Sequence, residues 1–242
     1  MKEQEDAYGR LLLAYLEGDR LAKEISERDD GFIAAGLGPS GYFAPFRRWP
    51  AHQRRAMRFV RGRVLDVGAG AGRVALHLQE RGHEVVAIDI SPLAIEVCRK
   101  RGVRDARVCS FEQVDESLGR VDTVVMWGNN FGLFGSAAKA KRMLLRLDRL
   151  TGDSARIVAE SRSPYGTEDP DHLAYHERNR RRGRMAGQLR LRIRHRSYKT
   201  PWFDYLIVSP AEMEEVLAGS GWNLARLIEG DGDLYAAVIE KS

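Results

Sequence analysis

The sequence of 242 residues contains only two cysteines, and no apolar run in its first forty residues is long enough for a signal peptide or a membrane span. Cys98 and Cys109 lack the CxxC spacing of metal ligands, and we expect both to be small buried apolar side chains rather than a disulfide. These absences predict a cytoplasmic protein with no metal site and no membrane as a partner.

Positive charge is concentrated in one segment of the chain. The formal net charge is +5, but residues 178–196 contain nine arginines, so the rest of the sequence is slightly acidic. Three interpretations stay open for this segment: a solvated strand edge, an anion-binding wall for a small substrate that includes Arg194, or a surface for RNA or DNA. The segment has no aromatic residue to stack on bases, so nucleic acid is the least favoured partner.

The first part of the chain predicts a helical cap at residues 1–61. Residues 29–43 are rich in glycine and aromatic residues and predict a loop, and Pro50 opens a further helix. Tyr42, in this loop, is expected to cover a bound ligand. A helix is predicted over residues 1–29 from the near-helical spacing of Leu11, Leu12, Tyr15, Leu16, Leu21 and Ile25.

The remainder, residues 62–242, predicts one α/β domain. From Arg63 onward short apolar strands alternate with helices, which is typical of βαβ units and a parallel sheet. The chain ends with two strands, at residues 223–229 and 234–239, joined by a Gly-Asp turn suited to an antiparallel hairpin.

An inserted segment interrupts this domain at about residues 162–208. The alternation of strands and helices stops after Ser161, and residues 188–196 alternate leucine or isoleucine with arginine as a half-exposed strand. We expect this insertion of strand and loop to cover the substrate.

The most informative string is VLDVGAGAGRVALHLQERGHEVVAIDIS, residues 64–91. Gly68, Gly70 and Gly72 lie between a predicted strand and a predicted helix, where the missing side chains let a ligand lie against the backbone. Asp89 ends the next strand, and a carboxylate there accepts hydrogen bonds from both ribose hydroxyls. Together these residues predict a nucleoside site at the carboxyl edge of a parallel sheet.

Two residues identify which nucleoside is favoured. Arg73 stands where the dinucleotide fingerprint GxGxxG requires glycine or alanine, so that fingerprint is not matched. Asp66 lies two residues before the first glycine, and an acid there suits a cationic ligand better than a pyrophosphate, which it would repel.

These residues resemble the first motif, and the acidic strand end that follows it, of the class I S-adenosylmethionine-dependent methyltransferases. The likeness covers residues 63–161 and 209–242. It implies a Rossmann-like, seven-stranded, mainly parallel sheet with an antiparallel last strand, and S-adenosylmethionine as the cofactor. Asp66 and the glycines would line the methionine portion, and Asp89 the ribose. The cofactor-binding residues that we expect are Tyr42, Asp66, Gly68, Ala69, Gly70, Gly72, Asp89, Ile90, Ser110, Phe111 and Trp127.

One position departs from that family pattern. Family members often have an acidic residue after the third strand to meet the adenine amino group, and Ser110 occupies this position here. Contacts to adenine would then come from backbone groups near Ser110, with Phe111 against the ring, or from Glu112.

Substrate contacts are expected after the fourth strand, at the edge where substrate and cofactor meet. Asn129 and Asn130 are candidates for orienting the acceptor, although Asn is also common in loops. Asn130 and three histidines of the insertion, His172, His176 and His195, are candidate catalytic groups. His172 and His176 are one helical turn apart, but no third metal ligand accompanies them.

The sequence therefore predicts a methyltransferase that acts on an oxygen or nitrogen atom of a small molecule, as a monomer or a homodimer. Two alternatives stay open: an RNA methyltransferase that uses the arginine segment, and a protein that binds S-adenosylmethionine without catalysis.

Overall fold

The computed structural model of the protein describes residues 2–242; Met1, the first residue of the predicted cap, lies outside them. The helices are α1 (Ala7–Leu16), α2 (Ala51–Ala56), α3 (Arg73–Glu80), α4 (Pro92–Lys100), α5 (Ala137–Leu150), α6 (Pro170–Arg181) and α7 (Pro210–Leu217). The strands are β1 (Ile25–Arg28), β2 (Ile33–Ala35), β3 (Val64–Val67), β4 (Val85–Asp89), β5 (Asp105–Val108), β6 (Val121–Met126), β7 (Thr151–Arg162), β8 (Gln188–His195), β9 (Tyr198–Lys199), β10 (Phe203–Leu206), β11 (Trp222–Glu229) and β12 (Leu234–Lys241). No helix within residues 2–242 has the length and apolar character needed to cross a membrane.

Two compact units divide the chain. The first comprises the described residues up to Trp49 with Arg63–Leu118 and Leu191–Phe203, and the second comprises Pro50–Gly62, Gly119–Arg190 and Asp204–Ser242. The expected division into a cap at 1–61 and a larger domain stays a prediction.

A seven-stranded sheet in the order β11-β12-β7-β6-β3-β4-β5 confirms the predicted fold class. In the first unit β3, β4 and β5 are parallel, with Leu65 opposite Val86 and Ile88 opposite Arg107. In the second unit β6 and β7 are parallel, while β12 is antiparallel to both β7 and β11. Every residue of β3 and β4 is buried, as expected for parallel strands covered on both faces.

Local sequence signals fix where several helices begin. The Ser91 hydroxyl accepts a hydrogen bond from the Ala94 N–H at 2.9 Å, and Pro92 occupies the first position of α4. Helix α7 begins with a capping box, in which Ser209 and Glu212 each bond the other's backbone N–H. Because α4 follows β4 directly, its cap also fixes the strand end that carries Asp89.

The predicted helix over residues 1–29 is wrong in its second half. Helix α1 ends at Leu16, Leu21 lies in a turn, and β1 begins at Ile25. β1 is antiparallel to both β2 and β8, and Glu27 lies opposite Arg192. This long-range pairing overrides the local helical spacing.

The insertion also differs from the predicted strand and loop. It contains the helix α6, which begins at Pro170 after the capping side chain of Asp169. The predicted strand over residues 188–196 is confirmed as β8. Cys98 is buried as expected, whereas Cys109 is partly exposed, and both are free thiols.

Candidate functional site

The loop after β3 adopts the backbone that its glycines were expected to provide. Gly68, Gly70 and Gly72 have φ angles of 69°, 55° and 73°, a region that other residues adopt at a cost. At Gly72 an added Cβ would lie 2.7 Å from Val103 and 3.1 Å from the Cys98 sulfur. Close packing on these two side chains therefore requires glycine at position 72, whatever the loop binds.

Gly70 is in a different environment. An added Cβ there would lie no closer than 3.9 Å to the Tyr8 hydroxyl and 4.0 Å to Tyr42. The Tyr8 and Tyr42 rings meet edge to face with centroids 5.6 Å apart. Burial and the neighbouring Tyr42 raise the pKa of Tyr8 well above its ordinary value, so its hydroxyl is neutral. The first unit thus places Tyr42 and Tyr8 beside the glycine loop, and contact of Tyr42 with a cofactor stays a prediction.

Asp89 ends β4 and connects to that loop. Its Oδ2 accepts a hydrogen bond from the Gly70 N–H at 3.0 Å, and its Oδ1 accepts one from the Ser91 N–H at 2.9 Å. Burial raises the pKa of Asp89, while hydrogen bonds from these two N–H groups and from the Ile90 N–H act in the opposite direction. A carboxylate has about four acceptor positions, so these three backbone donors leave capacity for a ligand hydroxyl.

Asp66 lies inside β3, and only 2% of its surface is exposed. Its Oδ2 is buried and has no hydrogen-bond partner among the described residues. Burial raises the pKa of Asp66 to about 7, although the Ala75 N–H and the charge of Arg73 oppose this shift. A buried carboxylate oxygen without a hydrogen-bond partner is costly, and a cationic ligand group would relieve that cost.

The other predicted cofactor residues of the first unit differ in exposure. Ala69 and Phe111 are buried, whereas the Ile90 side chain, next to Asp89, is 53% exposed. The Ser110 hydroxyl accepts a hydrogen bond from the Glu112 N–H at 3.3 Å, which caps the short 3-10 helix that follows. Ile90 thus offers an apolar surface at the edge of the sheet, whereas the Ser110 hydroxyl binds the backbone N–H of the 3-10 helix that it precedes.

In the second unit, the loop after β6 is held by a buried glutamate of β7. Glu160 Oε2 accepts hydrogen bonds from the backbone N–H groups of Gly128 at 2.7 Å and Asn129 at 2.9 Å. Its Oε1 accepts from His52 Nε2 at 2.5 Å and Gln53 Nε2 at 2.8 Å, both on α2. Burial acts to raise the pKa of Glu160, but the hydrogen bonds from His52, Gln53 and the Asn129 N–H, with the charge of His52, together lower it.

The predicted residues of this loop occupy different environments. Trp127 is buried and its Nε1 donates to the Met57 sulfur at 3.2 Å. Asn129 has a left-handed backbone with φ of 62°, and Asn130 follows it at the start of a 3-10 helix. The Tyr205 hydroxyl donates to the Asn129 carbonyl at 2.6 Å. The structure therefore brings Asn129 together with Glu160 and Tyr205.

The three candidate histidines do not form one cluster. In the second unit His176 is buried with its ring centroid 6.3 Å from that of Tyr165, and His172 is on the same helix. In the first unit His195 is buried, and its Nδ1 lies 2.9 Å from the Lys23 carbonyl oxygen. Within residues 2–242 no group of three or more His, Cys, Asp or Glu side chains is arranged to hold a metal ion.

The arginines of β8 and the residues after it form ion pairs. In the first unit Arg192 and Arg194 both contact Glu27, at 2.7 and 3.5 Å, and Arg196 contacts Asp19 at 2.8 Å. Arg194, the predicted substrate residue, thus already has a carboxylate partner. In the second unit Arg190 pairs with Asp204 at 3.3 Å.

Two functional candidates were missed in the sequence. Tyr8 belongs to the aromatic residues of the first helix, and only the tertiary structure places its hydroxyl near Gly70. Glu160 directly follows the buried apolar residues 157–159 of β7, and a buried charged residue after such a run is the signal that could have identified it.

Comparisons with known proteins place this chain among methyltransferases by likeness. A family described as a methyltransferase domain matches residues 64–152. The ribosomal protein L11 methyltransferase of Symbiobacterium thermophilum is 33% identical over 108 residues, which cover 42% of this chain and 34% of that protein. The magnesium-protoporphyrin O-methyltransferase of Rhodobacter capsulatus is 40% identical over 67 residues, 26% of this chain and 30% of that protein. The chain thus spans about a third of the length of these two relatives.

Solved structures extend the likeness to the whole chain. An S-adenosylmethionine-dependent methyltransferase from Bacteroides fragilis, solved with S-adenosylhomocysteine, has a TM-score of 0.84 and 26% identity and covers 100% of this chain and 97% of that one. The CcbJ methyltransferase from Streptomyces caelestis has a TM-score of 0.59 and 16% identity, covering 84% of this chain and 92% of that one, and supports the fold alone.

Proposed function

Because this chain belongs to the class I S-adenosylmethionine-dependent methyltransferases, we propose that it transfers the methyl group of this cofactor to an oxygen or nitrogen atom of a small molecule. The main supporting observation is the buried carboxylate of Asp66, whose Oδ2 has no partner within residues 2–242. That oxygen lies in the strand that leads directly into the glycine loop.

The residues of the first unit fit this cofactor in three respects. Asp66 offers a buried anion to the cationic ammonium or sulfonium. Asp89 keeps acceptor capacity for a ribose hydroxyl beside its backbone donors. Ile90 presents an exposed apolar side chain beside Asp89 for the adenine ring. Tyr42 and Tyr8 lie near Gly70 and would make further contacts with the cofactor.

When bound, the cofactor supplies a methyl group on a sulfonium, which leaves as a neutral thioether. The chain therefore has to orient the acceptor and exclude water rather than stabilise a charged leaving group. We assign the orientation to Asn129 and Asn130 in the loop after β6. An acceptor that is already nucleophilic needs no base. Removal of a proton by His172, His176 or His195 therefore stays a prediction that applies only to an acceptor that must lose one.

The ion pairs of the arginine segment favour a small acceptor over RNA. Arg190, Arg192, Arg194 and Arg196 each contact a carboxylate. Their partners, Asp204, Glu27 and Asp19, together offset three of these four positive charges. A surface that binds RNA gains affinity by releasing counterions from phosphates, and arginines already paired with carboxylates contribute less to this.

Two measurements test the proposal. Calorimetry with S-adenosylmethionine and S-adenosylhomocysteine tests the cofactor site, and Asp89→Ala is expected to bind both more weakly. Transfer of a labelled methyl group is then measured to a phenol, a catechol, a primary and a secondary amine, an N-heterocycle, a carboxylic acid and total RNA. Turnover of a small molecule is expected. Cofactor binding with transfer to RNA alone, or with no transfer, contradicts the proposal in favour of the RNA-directed or the non-catalytic alternative.

A further inference from the structure

We propose that Glu160 is a positioning residue for the acceptor: it fixes the backbone of Asn129 and thereby the side-chain amide that orients the substrate. This inference rests on the proposed function, because the proposed function assigns the Asn129 amide to the orientation of the acceptor. All the residues involved lie within the second unit.

The Glu160 carboxylate connects two elements. One oxygen accepts two side-chain donors of α2, from His52 and Gln53, and the other accepts two consecutive backbone N–H groups of the loop after β6, those of Gly128 and Asn129. A carboxylate has about four acceptor positions, so this arrangement uses all of them. The loop is thereby joined to α2 through one side chain that is 3% exposed.

The backbone of Asn129 needs such support. Its φ of 62° and ψ of 22° lie in the left-handed region, which residues other than glycine adopt at a cost. Glu160 binds its N–H, while its carbonyl oxygen accepts from the Gly132 N–H at 2.8 Å and the Tyr205 hydroxyl at 2.6 Å. Hydrogen bonds therefore hold Asn129 at both of its backbone polar groups.

Gly132 allows Tyr205 to reach this carbonyl. A Cβ at position 132 would lie 2.3 Å from the Tyr205 ring, so only glycine permits this packing. Tyr205 is on β10 of the insertion, and it thus joins that segment to the loop after β6.

The side chain of Asn129 depends on this backbone support. Its Oδ1 is buried and has no hydrogen-bond partner among the described residues. An amide with an open acceptor position suits a substrate N–H or O–H. Because no bond from Oδ1 orients the amide, its direction is set mainly by the backbone that Glu160 and Tyr205 hold.

Glu160 and His52 are not placed to act as a general base. The four donors around Glu160 leave no acceptor position for a substrate proton. The free nitrogen of His52, Nδ1, abuts Gly230, where an added Cβ would lie 2.6 Å from it. Glu160 therefore acts through Asn129 and not on the substrate.

The test compares Glu160→Gln with Glu240→Gln. Glu240, on β12 of the same unit, pairs with Arg156 at the surface, so it gives the same chemical change without touching the loop. Glutamine at 160 places an NH₂ group against N–H donors. Glu160→Gln should speed hydrogen exchange of the Gly128 and Asn129 amides and lower kcat/KM about tenfold or more for the phenol, amine or heterocycle turned over above, with the S-adenosylhomocysteine Kd within about twofold.

A double-mutant cycle separates positioning from general destabilisation. If Glu160 acts through Asn129, Glu160→Gln should cost little more in an Asn129→Ala background, so the two effects on kcat/KM should not multiply. Tyr205→Phe removes the second support of the Asn129 backbone without altering Glu160, and it should lower kcat/KM in the same way but by less. This variant serves as the test if Glu160→Gln does not fold.

Several outcomes would overturn the inference. Multiplying effects in the cycle, unchanged exchange at Asn129, or a Glu160→Gln enzyme as active as Glu240→Gln would each contradict it while leaving the proposed function intact. If no small molecule is methylated by the wild-type enzyme, the proposed function fails first and this inference with it.

Discussion

The carboxylate of Asp89 accepts a hydrogen bond from the backbone N–H of Gly70 at 3.0 Å. The end of β4 thus fixes the conformation of the loop that follows β3, so one carboxylate both shapes the glycine loop and faces the site proposed for the ribose. Replacing Asp89 is expected to affect both roles.

Asp89→Ala should weaken S-adenosylhomocysteine binding by about 1.5 to 3 kcal/mol, the contribution of charge-assisted hydrogen bonds to the ribose. Calorimetry measures this change. Asp105→Ala is the matched control, because Asp105 is on the neighbouring strand and pairs with Arg107. Equal affinity of the wild-type and Asp89→Ala proteins would remove Asp89 from the cofactor site.

Asp66 predicts a specific dependence of stability on pH. Its pKa is raised from 3.8 to about 7 in the folded protein, so the folded state binds the proton more tightly than the unfolded state. This contribution to stability is complete below about pH 4 and is lost as the pH rises through about 7. Asp66→Asn, which has no charge to bury, should therefore gain stability over the wild type between pH 4 and 8. If the unfolding free energies of the wild type and Asp66→Asn changed with pH in parallel over this range, the raised pKa of Asp66 would be contradicted.

Cofactor binding should release a proton from Asp66. A cationic group near its carboxylate lowers the pKa, so near pH 6.5 the protonated fraction falls on binding. Calorimetry of S-adenosylmethionine in buffers of different ionisation enthalpy measures the released protons. The Asp66→Asn protein should release fewer, and equal release by both proteins would show that another group titrates.

Tyr8→Phe should weaken cofactor binding about fivefold, the contribution of one neutral hydrogen bond. The hydroxyl lies near Gly70 and stays neutral because burial raises its pKa well above the ordinary value. Tyr15→Phe, on the same helix, is the control, since the Tyr15 ring packs on Phe43. If both variants bind like the wild type, Tyr8 only packs the helix.

Glu27→Gln should increase binding to polyanions. The hydrogen bond from Arg192, assisted by Arg194, lowers the pKa of Glu27, so Glu27 is charged and neutralises part of the arginine segment at neutral pH. The salt concentration that elutes the protein from heparin measures this, with Glu96→Gln, which breaks the pair with Lys100, as the control. Tight, steeply salt-dependent binding of RNA by the wild type would instead favour the RNA alternative.

Much of the sheet could be predicted because its signals are local. Gly68, Gly70 and Gly72 follow an apolar strand, and Ser91 with Pro92 starts the next helix, so strand, loop and cap occur within a few residues of one another. The helix predicted around Ile25 was wrong because β1 pairs with β8, a partner about 165 residues away in the chain that no short window contains.

The sequence alone determined the βαβ order, the glycine loop and the acid at the end of the second sheet strand, since short-range spacing encodes each of them. Only the tertiary structure decided that Asp66 has an unpaired buried oxygen, that Glu27 pairs with two arginines of the insertion, and that Glu160 supports Asn129. Those properties depend on burial and on partners distant in the chain, and the electrostatics of a carboxylate follow from what surrounds it after folding.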